Sequence, residues 1–370
     1  MRTVRKAVAV LALVAMGCGS RASEDRAIKD LQVGQAHREG LHLSVQDGLA
    51  VVRKVEPGTV TLWGSAPVFH VRASVAQGGP EAWTVVVRNA LPDAELTATV
   101  GEGGEALPVE ALPLGALPTV KVWRVQLRAG AEARLTVGPP DWQERKPFRF
   151  AALADVQEAL PRVGDVYARM NEDPTLRFVF FSGDLTQRGS VAELEEFQSR
   201  LELLRIPLFA TLGNHETYVV DMRYHSYFGR GNAHFTFQGV HFSLLDSGDG
   251  SLDPKAEEML DGWLEAGRES VHIMGTHIPL LDPIGVRGGA FSSRNEAASL
   301  LGKLGRGNLD LTLYGHVHSY YSFSNAGIPA FISGGGGAIP EQFDGVGRHF
   351  LAVDVDPDAG IRNVSLVRVD

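Results

Sequence analysis

The stretch Leu208-Phe209-Ala210-Thr211-Leu212-Gly213-Asn214-His215-Glu216 passes from a short apolar run to an amide, an imidazole and a carboxylate side chain. A short apolar run bounded by turn residues is typical of a strand that is buried on both faces of an α/β sheet. Gly213 lets the backbone turn sharply directly after that strand. Because open α/β sheets bind ligands beyond the carboxyl ends of their strands, this stretch predicts both a fold class and a site.

The same arrangement occurs on both sides of this stretch. The other apolar runs and the polar residues after them are Phe150 to Leu153 with Asp155, Phe178 to Phe181 with Gly183-Asp184, Val271 to Met274 with His277, and Leu311 to Tyr314 with Gly315-His316-Val317-His318. We expect the five polar sites to converge on one pocket at the ends of the strands. Asp, Asn and His donors without a thiolate suit Mn, Fe, Zn or a similar divalent ion.

Single elements of this set also have structural explanations. A lone Asp155 commonly caps a turn, and a lone His277 is commonly a hydrogen-bonded core residue. In contrast, Gly-Asn-His-Glu and Gly-His-Val-His directly after apolar strands have few structural reasons to exist. The five elements in this order therefore favour a metal site over five unrelated structural residues.

Residues 148–370 resemble the calcineurin-like metallophosphoesterase family. Its motifs are Asp-x-His, Gly-Asp, Gly-Asn-His-Glu/Asp, a lone His and Gly-His-x-His, and they match the residues quoted above in the same order. The resemblance implies an α/β fold, a four-layer α/β/β/α domain over residues 148–370. It also implies two bound divalent metal ions, Mn, Fe or Zn, whose identity the sequence leaves open.

The same resemblance implies a role for each residue of the motifs. The implied ligands are Asp155, Asp184 and His318 for the first ion, and Asp184, Asn214, His277 and His316 for the second, with Asp184 bridging the two. His215 resembles the family residue that donates a proton to the leaving oxygen or stabilises it.

Two positions depart from the patterns that the chain resembles. The first motif ends in Gln157 instead of histidine, so the first metal site would contain an uncharged amide oxygen, which is a weaker donor. The N-terminal region and the stretch Gly315 to Tyr321 resemble the purple acid phosphatase branch, but Gln187 stands where that branch has its iron-binding tyrosine. Arg188 is a candidate ligand of the substrate phosphate, with an exposed arginine near a helix as the alternative.

The implied reaction is metal-dependent hydrolysis of a small phosphomonoester or phosphodiester. Two cations about 3.5 to 4 Å apart clamp the attacking and leaving oxygens, and a metal-bridging hydroxide is the expected nucleophile. One alternative is a nucleotide or nucleotide-sugar pyrophosphatase with the same metals and a different pocket. The other is a catalytically weak envelope binding module, in which Gln157 has abolished activity.

Two further features have open interpretations. Asp246 follows the apolar run Val240 to Leu245 and either orients a ligand histidine or caps a turn. The run Gly334 to Gly337 either forms a tight turn whose backbone approaches the substrate or is a flexible loop.

The region before residue 148 has a different pattern. Short runs in which apolar and polar residues alternate, such as Phe69 to Val75 and Ala133 to Val137, are separated by Gly, Pro, Asn and Asp. This pattern predicts an all-β sandwich of about seven strands over residues 31–143, of the fibronectin III or immunoglobulin-like kind. A spacer or packing role is expected for it, with carbohydrate or wall binding as the alternative.

The N-terminus has the plan of an export signal. Arg2, Arg5 and Lys6 precede the uncharged run Ala7 to Met16, which is too short to span a bilayer, and then Gly17-Cys18. Val14 to Cys18 resembles a bacterial lipoprotein signal, which implies cleavage after residue 17 and a lipid on Cys18. We therefore expect a signal peptide over 1–17, a tether over 18–30, and a lipoprotein anchored in a membrane of the cell envelope, periplasmic or on the outer surface. An ordinary secretory peptide is the alternative.

Composition excludes several functions. The 370 residues carry a formal net charge of -9, whereas a nucleic-acid scaffold protein needs a basic surface that neutralises phosphates. The single cysteine excludes an internal disulfide and a cysteine-rich zinc cluster. Residues 18–146 hold 14 basic and 15 acidic residues, and residues 147–370 hold 18 and 29, so the excess of acid lies in the region of the predicted metal ligands.

Overall fold

The computed structural model describes residues 23–101, 104–113, 117–219, 221–285, 289–340 and 345–369. These residues form four β-sheets, two before residue 139 and two after residue 147. No helix among the described residues combines the length and the hydropathy that crossing a membrane requires. The predicted signal peptide and Cys18 lie outside the described residues.

Two sheets face each other in the N-terminal region. Their strands are β1 (Gln35–Arg38), β2 (Leu41–Val45), β3 (Ala50–Glu56), β4 (Thr59–Gly64), β5 (Phe69–Val75), β6 (Ala82–Arg88), β7 (Glu95–Val100), β8 (Glu105–Ala106), β9 (Val109–Ala111), β10 (Val120–Gln126) and β11 (Glu132–Gly138). The sheet orders are β1-β2-β5-β11-β7-β8 and β3-β4-β6-β10-β9. Alternate residues of β5 are buried, as expected where one face of each sheet covers a shared core.

The sandwich has more strands than the seven expected from the sequence. The strands that the alternating pattern does not reveal are short and polar: β1 is largely exposed, and β8 consists of two exposed residues. Both lie at edges of the first sheet, where only one neighbouring strand holds them. A strand without a buried face shows no alternation of apolar and polar residues in its sequence.

The C-terminal region has two sheets between two layers of helices. Its strands are β12 (Phe148–Leu153), β13 (Leu176–Ser182), β14 (Leu208–Thr211), β15 (Ala233–Phe237), β16 (Val240–Leu245), β17 (His272–Thr276), β18 (Leu311–Tyr314), β19 (Tyr320–Asn325), β20 (Ile328–Ser333), β21 (His349–Asp356) and β22 (Gly360–Arg368). Helix α1 (residues 23–32) precedes the sandwich, and the α-helices of the C-terminal region among the described residues are α2 (Gly164–Asn171), α3 (Val191–Arg200), α4 (Tyr224–Tyr227), α5 (Pro254–Gly267) and α6 (Arg294–Arg306).

The order of these layers confirms the predicted α/β/β/α domain. Helices α2 and α3 pack on the sheet β14-β13-β12-β21-β22, and helices α5 and α6 pack on the sheet β15-β16-β17-β18-β20-β19. Phenylalanines fill the space between the two sheets; Phe150, for example, stacks on Phe178 at 5.5 Å and meets Phe242 edge-on at 5.4 Å. Ser190 caps the beginning of α3, since its side chain accepts from the amide of Glu193.

The sandwich packs against the strand that leads into Gly213-Asn214. The Asn89 amide nitrogen donates to the Leu208 carbonyl at 2.7 Å, and the Leu208 amide donates back to Asn89 Oδ1 at 2.9 Å. Ser65 Oγ donates to the carbonyl of Phe228 at 2.8 Å. The two bonds of Asn89 hold the beginning of β14 from outside its own domain.

Helix α1 is packed against the C-terminal domain. Arg26 donates to Asp246 at 2.6 Å and to Asp249 at 2.9 Å. Asp30 lies one helical turn later on the same face and accepts from the amides of Gly231 at 2.7 Å and Asn232 at 3.0 Å. Residues 23–30 therefore differ from the tether that the sequence predicted over 18–30. The reason is that Arg26 and Asp30 are buried and bonded to the C-terminal domain, whereas charged side chains in a sequence usually suggest exposure to solvent.

Replacing Asp30 with alanine is expected to destabilise the protein by about 3 kcal/mol or more, because two buried backbone amides lose their acceptor. Asp25→Ala on the exposed side of the same helix is the matched control. Urea unfolding of both variants measures the difference. Equal unfolding free energies for the two variants would show that α1 does not stabilise the loop at Gly231 and Asn232.

Three histidines meet where α5 covers β15, β16 and β17. His234 Nε2 lies 3.1 Å from His241 Nδ1, and the His234 ring stacks on Trp263 at 5.5 Å. His272 is fully buried, and Ser243 Oγ lies 2.8 Å from its Nε2. Burial lowers the pKa of both His234 and His272 to about 3. Both imidazoles are therefore neutral in the folded protein near pH 7.

These histidines predict a loss of stability in acid. Below about pH 6.5 the unfolded chain binds protons that the folded chain does not, so stability falls as the pH decreases from 6.5 towards 3. We expect His272→Gln to reduce the slope of unfolding free energy against pH by up to about 1.4 kcal/mol per pH unit. Urea titrations of both proteins between pH 7 and 4 measure the slopes, and identical slopes would contradict the assignment.

Candidate metal centre

The structure brings together the polar residues that follow five strands. Strands β12, β13 and β14 run parallel in one sheet, and β17 and β18 run parallel in the other. Their carboxyl ends meet at one edge of the two-sheet core. The residues placed there are Asp155, Asp184, Asn214, His277, His316 and His318.

Four residues at this edge have left-handed backbone conformations. The φ angles are 63° at Asp155, 46° at Gln157, 59° at Asp184 and 70° at His316. A positive φ is uncommon outside glycine and costs about 1 to 3 kcal/mol per residue, so the surrounding structure must enforce it. Such strain clusters at functional sites, and here it turns four side chains towards one point.

Three residues at this edge form a buried set of potential metal ligands. One ligand atom from each of Asp155, Asp184 and His277 lies within 4.8 Å of the others. All three side chains are buried, and Asp155 Oδ1 has no hydrogen-bond partner. A buried carboxylate oxygen without a partner costs free energy that a cation would recover. The donor set therefore fits a divalent metal ion.

The protein environment shifts the pKa values of these groups in different directions. Burial raises the pKa of Asp155 to about 6. Burial would also raise the pKa of Asp184, but His277 and His215 outweigh it and hold the pKa near 2. Burial would lower the pKa of His277, but the attraction of Asp184 raises it to about 9. A proton on His277 thus balances the buried carboxylates in a place where a metal cation would do the same.

Asn214 connects two histidines of the predicted second metal site. Asn214 Oδ1 lies 2.9 Å from His277 Nε2 and 3.0 Å from His316 Nδ1. His277 Nδ1 donates to the carbonyl of Ser182 at 2.9 Å, so His277 Nε2 is the nitrogen that faces the site. The amide oxygen and the two imidazole nitrogens therefore point at a common position.

His318 and Gln157 lie on the other side of Asp184. His318 Nδ1 donates to the carbonyl of Ile339 at 2.8 Å, and His318 Nε2 lies 3.6 Å from Asp155 Oδ1. The Gln157 amide nitrogen donates to Asp184 Oδ2 at 2.6 Å and lies 3.1 Å from His318 Nε2. Gln157 thus lies beside Asp184 and His318, but its amide nitrogen, not its oxygen, faces Asp184. The amide must rotate before its oxygen can face a metal ion.

His215 lies at the opening of the site. Its backbone amide donates to Asp184 Oδ1 at 2.9 Å, and its Nδ1 donates to the carbonyl of Gln187 at 2.8 Å. Its Nε2 lies 3.8 Å from Asp184 Oδ2, and 15% of the side chain is exposed. The ring is therefore fixed through one nitrogen, and the other nitrogen is close to the carboxylate that the two metal sites would share.

Glu216 has a role that the sequence analysis did not assign. Its carboxylate accepts from the amides of Asp184 at 3.0 Å, Gly213 at 2.8 Å and Thr186 at 2.9 Å, and from the Thr186 hydroxyl at 2.9 Å. Burial and Asp184 together raise the pKa of Glu216 to about 7. Glu216 joins the loop after β14 to the loop after β13. The only signal in the sequence was its place in the Gly-Asn-His-Glu motif.

Arg188 and Asp246 are the two remaining candidates from the sequence. Arg188 is exposed, and no contact joins it to the ligand set within the described parts of the chain. Asp246 pairs with Arg26 and accepts from the amide of Gly248 at 2.9 Å, so it caps a turn and does not orient a ligand histidine. Gly334 to Gly337 are packed against the site, since the Gly336 amide donates to the Ala154 carbonyl at 2.9 Å.

Comparisons with known proteins bear on the C-terminal region. Residues 148–320 match the family model described as calcineurin-like phosphoesterase. A search of curated proteins found no match to the chain.

The chain is also similar to several solved structures. A purple acid phosphatase from yellow lupin (Lupinus luteus) seeds is 15% identical over 80% of this chain and 69% of its own, with a TM-score of 0.48. The structure of PhoD is 13% identical over 81% of this chain and 87% of its own, with a TM-score of 0.48. A dimetal phosphatase from Danio rerio is 13% identical over 60% of this chain and 99% of its own, with a TM-score of 0.43.

Proposed function

We propose that this chain, whose residues 148–320 form a calcineurin-like phosphoesterase domain, hydrolyses phosphomonoesters or phosphodiesters at a dinuclear metal centre. The domain itself is that of a phosphoric ester hydrolase. The observation that carries the proposal is the buried set Asp155, Asp184 and His277, in which one carboxylate oxygen lacks a hydrogen-bond partner. A buried carboxylate oxygen without a hydrogen-bond donor costs free energy, which a bound cation would recover.

The arrangement supports one division of the ligands between two ions. Asp155, His318 and Gln157 would hold the first ion, and Asn214, His277 and His316 would hold the second. Asp184 lies between both groups, since its Oδ2 is 3.2 Å from His277 Nε2 and 2.6 Å from the Gln157 amide nitrogen. Two divalent ions bound there would supply an activated water and compensate the charge on the phosphoryl oxygens.

The protein residues around this centre supply orientation and a proton. The Glu216 carboxylate fixes the backbone on both sides of Asp184, which keeps that side chain aimed between the two ligand groups. His215 keeps a proton on Nδ1 for the Gln187 carbonyl, so Nε2 is the atom that would donate a proton to the leaving oxygen. No serine or cysteine nucleophile is needed for this reaction.

Hydrolysis assays test the proposed function directly. We expect the protein loaded with Mn²⁺ or Zn²⁺ to hydrolyse p-nitrophenyl phosphate, bis(p-nitrophenyl) phosphate or both, and their relative rates distinguish a monoesterase from a diesterase. Metal-loaded protein that hydrolyses neither ester would contradict the proposal and favour a binding module.

We also propose that the protein is exported and anchored in the cell envelope through a lipid on Cys18. The support is the order of charged, apolar and small residues before Cys18. Cys18→Ser should move the protein from the membrane fraction to the soluble fraction. Unchanged membrane association of this variant would contradict the anchor.

A further inference from the structure

A cleft with a volume of about 400 Å³ opens beside His318. Its other walls include Arg162, Asp165 and Arg348, together with the backbone of the glycine run that begins at Gly334. Because His318 belongs to the candidate metal centre, a group bound in this cleft lies next to the position of a substrate phosphoryl group.

The wall nearest the candidate metal centre is formed by glycines, so only backbone atoms border the cleft there. A Cβ atom at Gly334 would lie 2.3 Å from the Val317 carbonyl oxygen and 2.9 Å from Asp155 Oδ2, so only glycine fits. Gly337 has a φ of 125°, and a Cβ there would lie 2.6 Å from the Cβ of Ala159. The glycines therefore keep side chains out of the boundary between the cleft and the metal ligands.

Among the described residues, the remaining walls carry a net positive charge. Arg162 ends a short 3-10 helix, Gln157–Arg162, and is exposed. Arg348 is partly buried and forms an ion pair with Asp165. The described lining thus contains two guanidinium groups and one carboxylate. This charge contrasts with residues 147–370 as a whole, which hold 29 acidic and 18 basic residues.

We propose that the cleft binds a second anionic group of the substrate, so that the preferred substrates are phosphoesters that also carry a carboxylate or another phosphoryl group. Guanidinium groups bind both kinds of anion through paired, charge-assisted hydrogen bonds. The inference rests on the proposed function, since it assigns the scissile phosphoryl group to the metal centre. Compounds with two phosphoryl groups, the substrates of the pyrophosphatase alternative, fall within this class.

Two matched phosphonates test the cleft without requiring turnover. They are 4-carboxybenzylphosphonate and 4-carbamoylbenzylphosphonate, which have nearly the same shape and differ by one negative charge. We expect the Mn²⁺-loaded full chain to bind the carboxylate about tenfold more tightly in calorimetry, the size of one charge-assisted contact. Arg162→Gln should reduce this preference to about twofold or less. Arg169→Gln, an exposed arginine of α2 that pairs with Glu172, is the control and should keep the preference.

Equal binding of the two phosphonates by the unmodified protein, or an unchanged preference in Arg162→Gln, would overturn the inference. Turnover of 4-carboxyphenyl and 4-carbamoylphenyl phosphate separates this failure from a failure of the proposed function. A binding preference that depends on Arg162, with hydrolysis of neither ester, would support the cleft and contradict the hydrolase. Hydrolysis of both esters with equal kcat/KM would support the hydrolase and contradict the cleft.

Discussion

Asp184→Asn is expected to lose metal binding and turnover together, with hydrolysis reduced by more than about a thousandfold. The substitution removes the charge of the carboxylate that lies between His277 and Gln157, and the variant keeps nearly the same shape. Among the three clustered ligands, only Asp155 would then supply a carboxylate to attract a metal cation. Elemental analysis after gel filtration and an assay with p-nitrophenyl phosphate measure the two losses.

The control for this variant is Asp261→Asn, which changes an exposed carboxylate that pairs with Lys303 on the helical layer. It should bind metal and hydrolyse substrate as the unmodified protein does. Near-normal metal content and activity in Asp184→Asn would show that this residue does not join the two ligand groups, and the proposed division of ligands would have to be abandoned.

His215→Asn is expected to keep its metal and to lose turnover. His215 contacts Asp184 through its backbone amide, which asparagine retains, whereas its Nε2 lies 3.8 Å from the Asp184 carboxylate at the mouth of the site. Loss of a proton donor costs about a hundredfold to ten-thousandfold in rate. The loss should be larger for an alkyl phosphate, whose leaving oxygen needs the proton, than for p-nitrophenyl phosphate, whose leaving group departs as an anion.

A comparison of the two substrates distinguishes this role from a structural one. A merely distorted site would slow both substrates by the same factor, whereas the loss of a proton donor slows the alkyl phosphate more. Full activity of His215→Asn on the alkyl phosphate would contradict the assignment of the proton to this residue.

Much of the fold could be predicted because buried strands leave a clear pattern. The strand over Val240–Leu245 and the strand over Leu311–Tyr314 have the predicted limits, since apolar residues predominate in both and each begins and ends with a large apolar or aromatic residue. The beginning of α3 also has a local cause, since the Ser190 side chain accepts from the amide of Glu193. The convergence of Asp155, Asp184 and His277 followed from their positions after parallel strands.

The features that could not be predicted depend on contacts between parts of the chain that are distant in sequence. Arg26 is 220 residues from Asp246, and no local pattern reveals that an ion pair between them holds α1 in place. Glu216 acts by accepting from the backbone of Asp184 and Thr186, which are adjacent to it only in the folded chain. The orientation of the Gln157 amide likewise depends on Asp184 and His318, its neighbours in space.

Metal stoichiometry measured together with the rate of phosphoester hydrolysis tests the central claim most directly. Chelator-treated protein would be titrated with Mn²⁺ or Zn²⁺, and bound metal and hydrolysis of p-nitrophenyl phosphate and its bis ester would be recorded at each step. We predict that two ions bind per chain and that hydrolysis appears as the second ion binds. Full occupancy by two ions with hydrolysis of neither ester would contradict the proposed hydrolase.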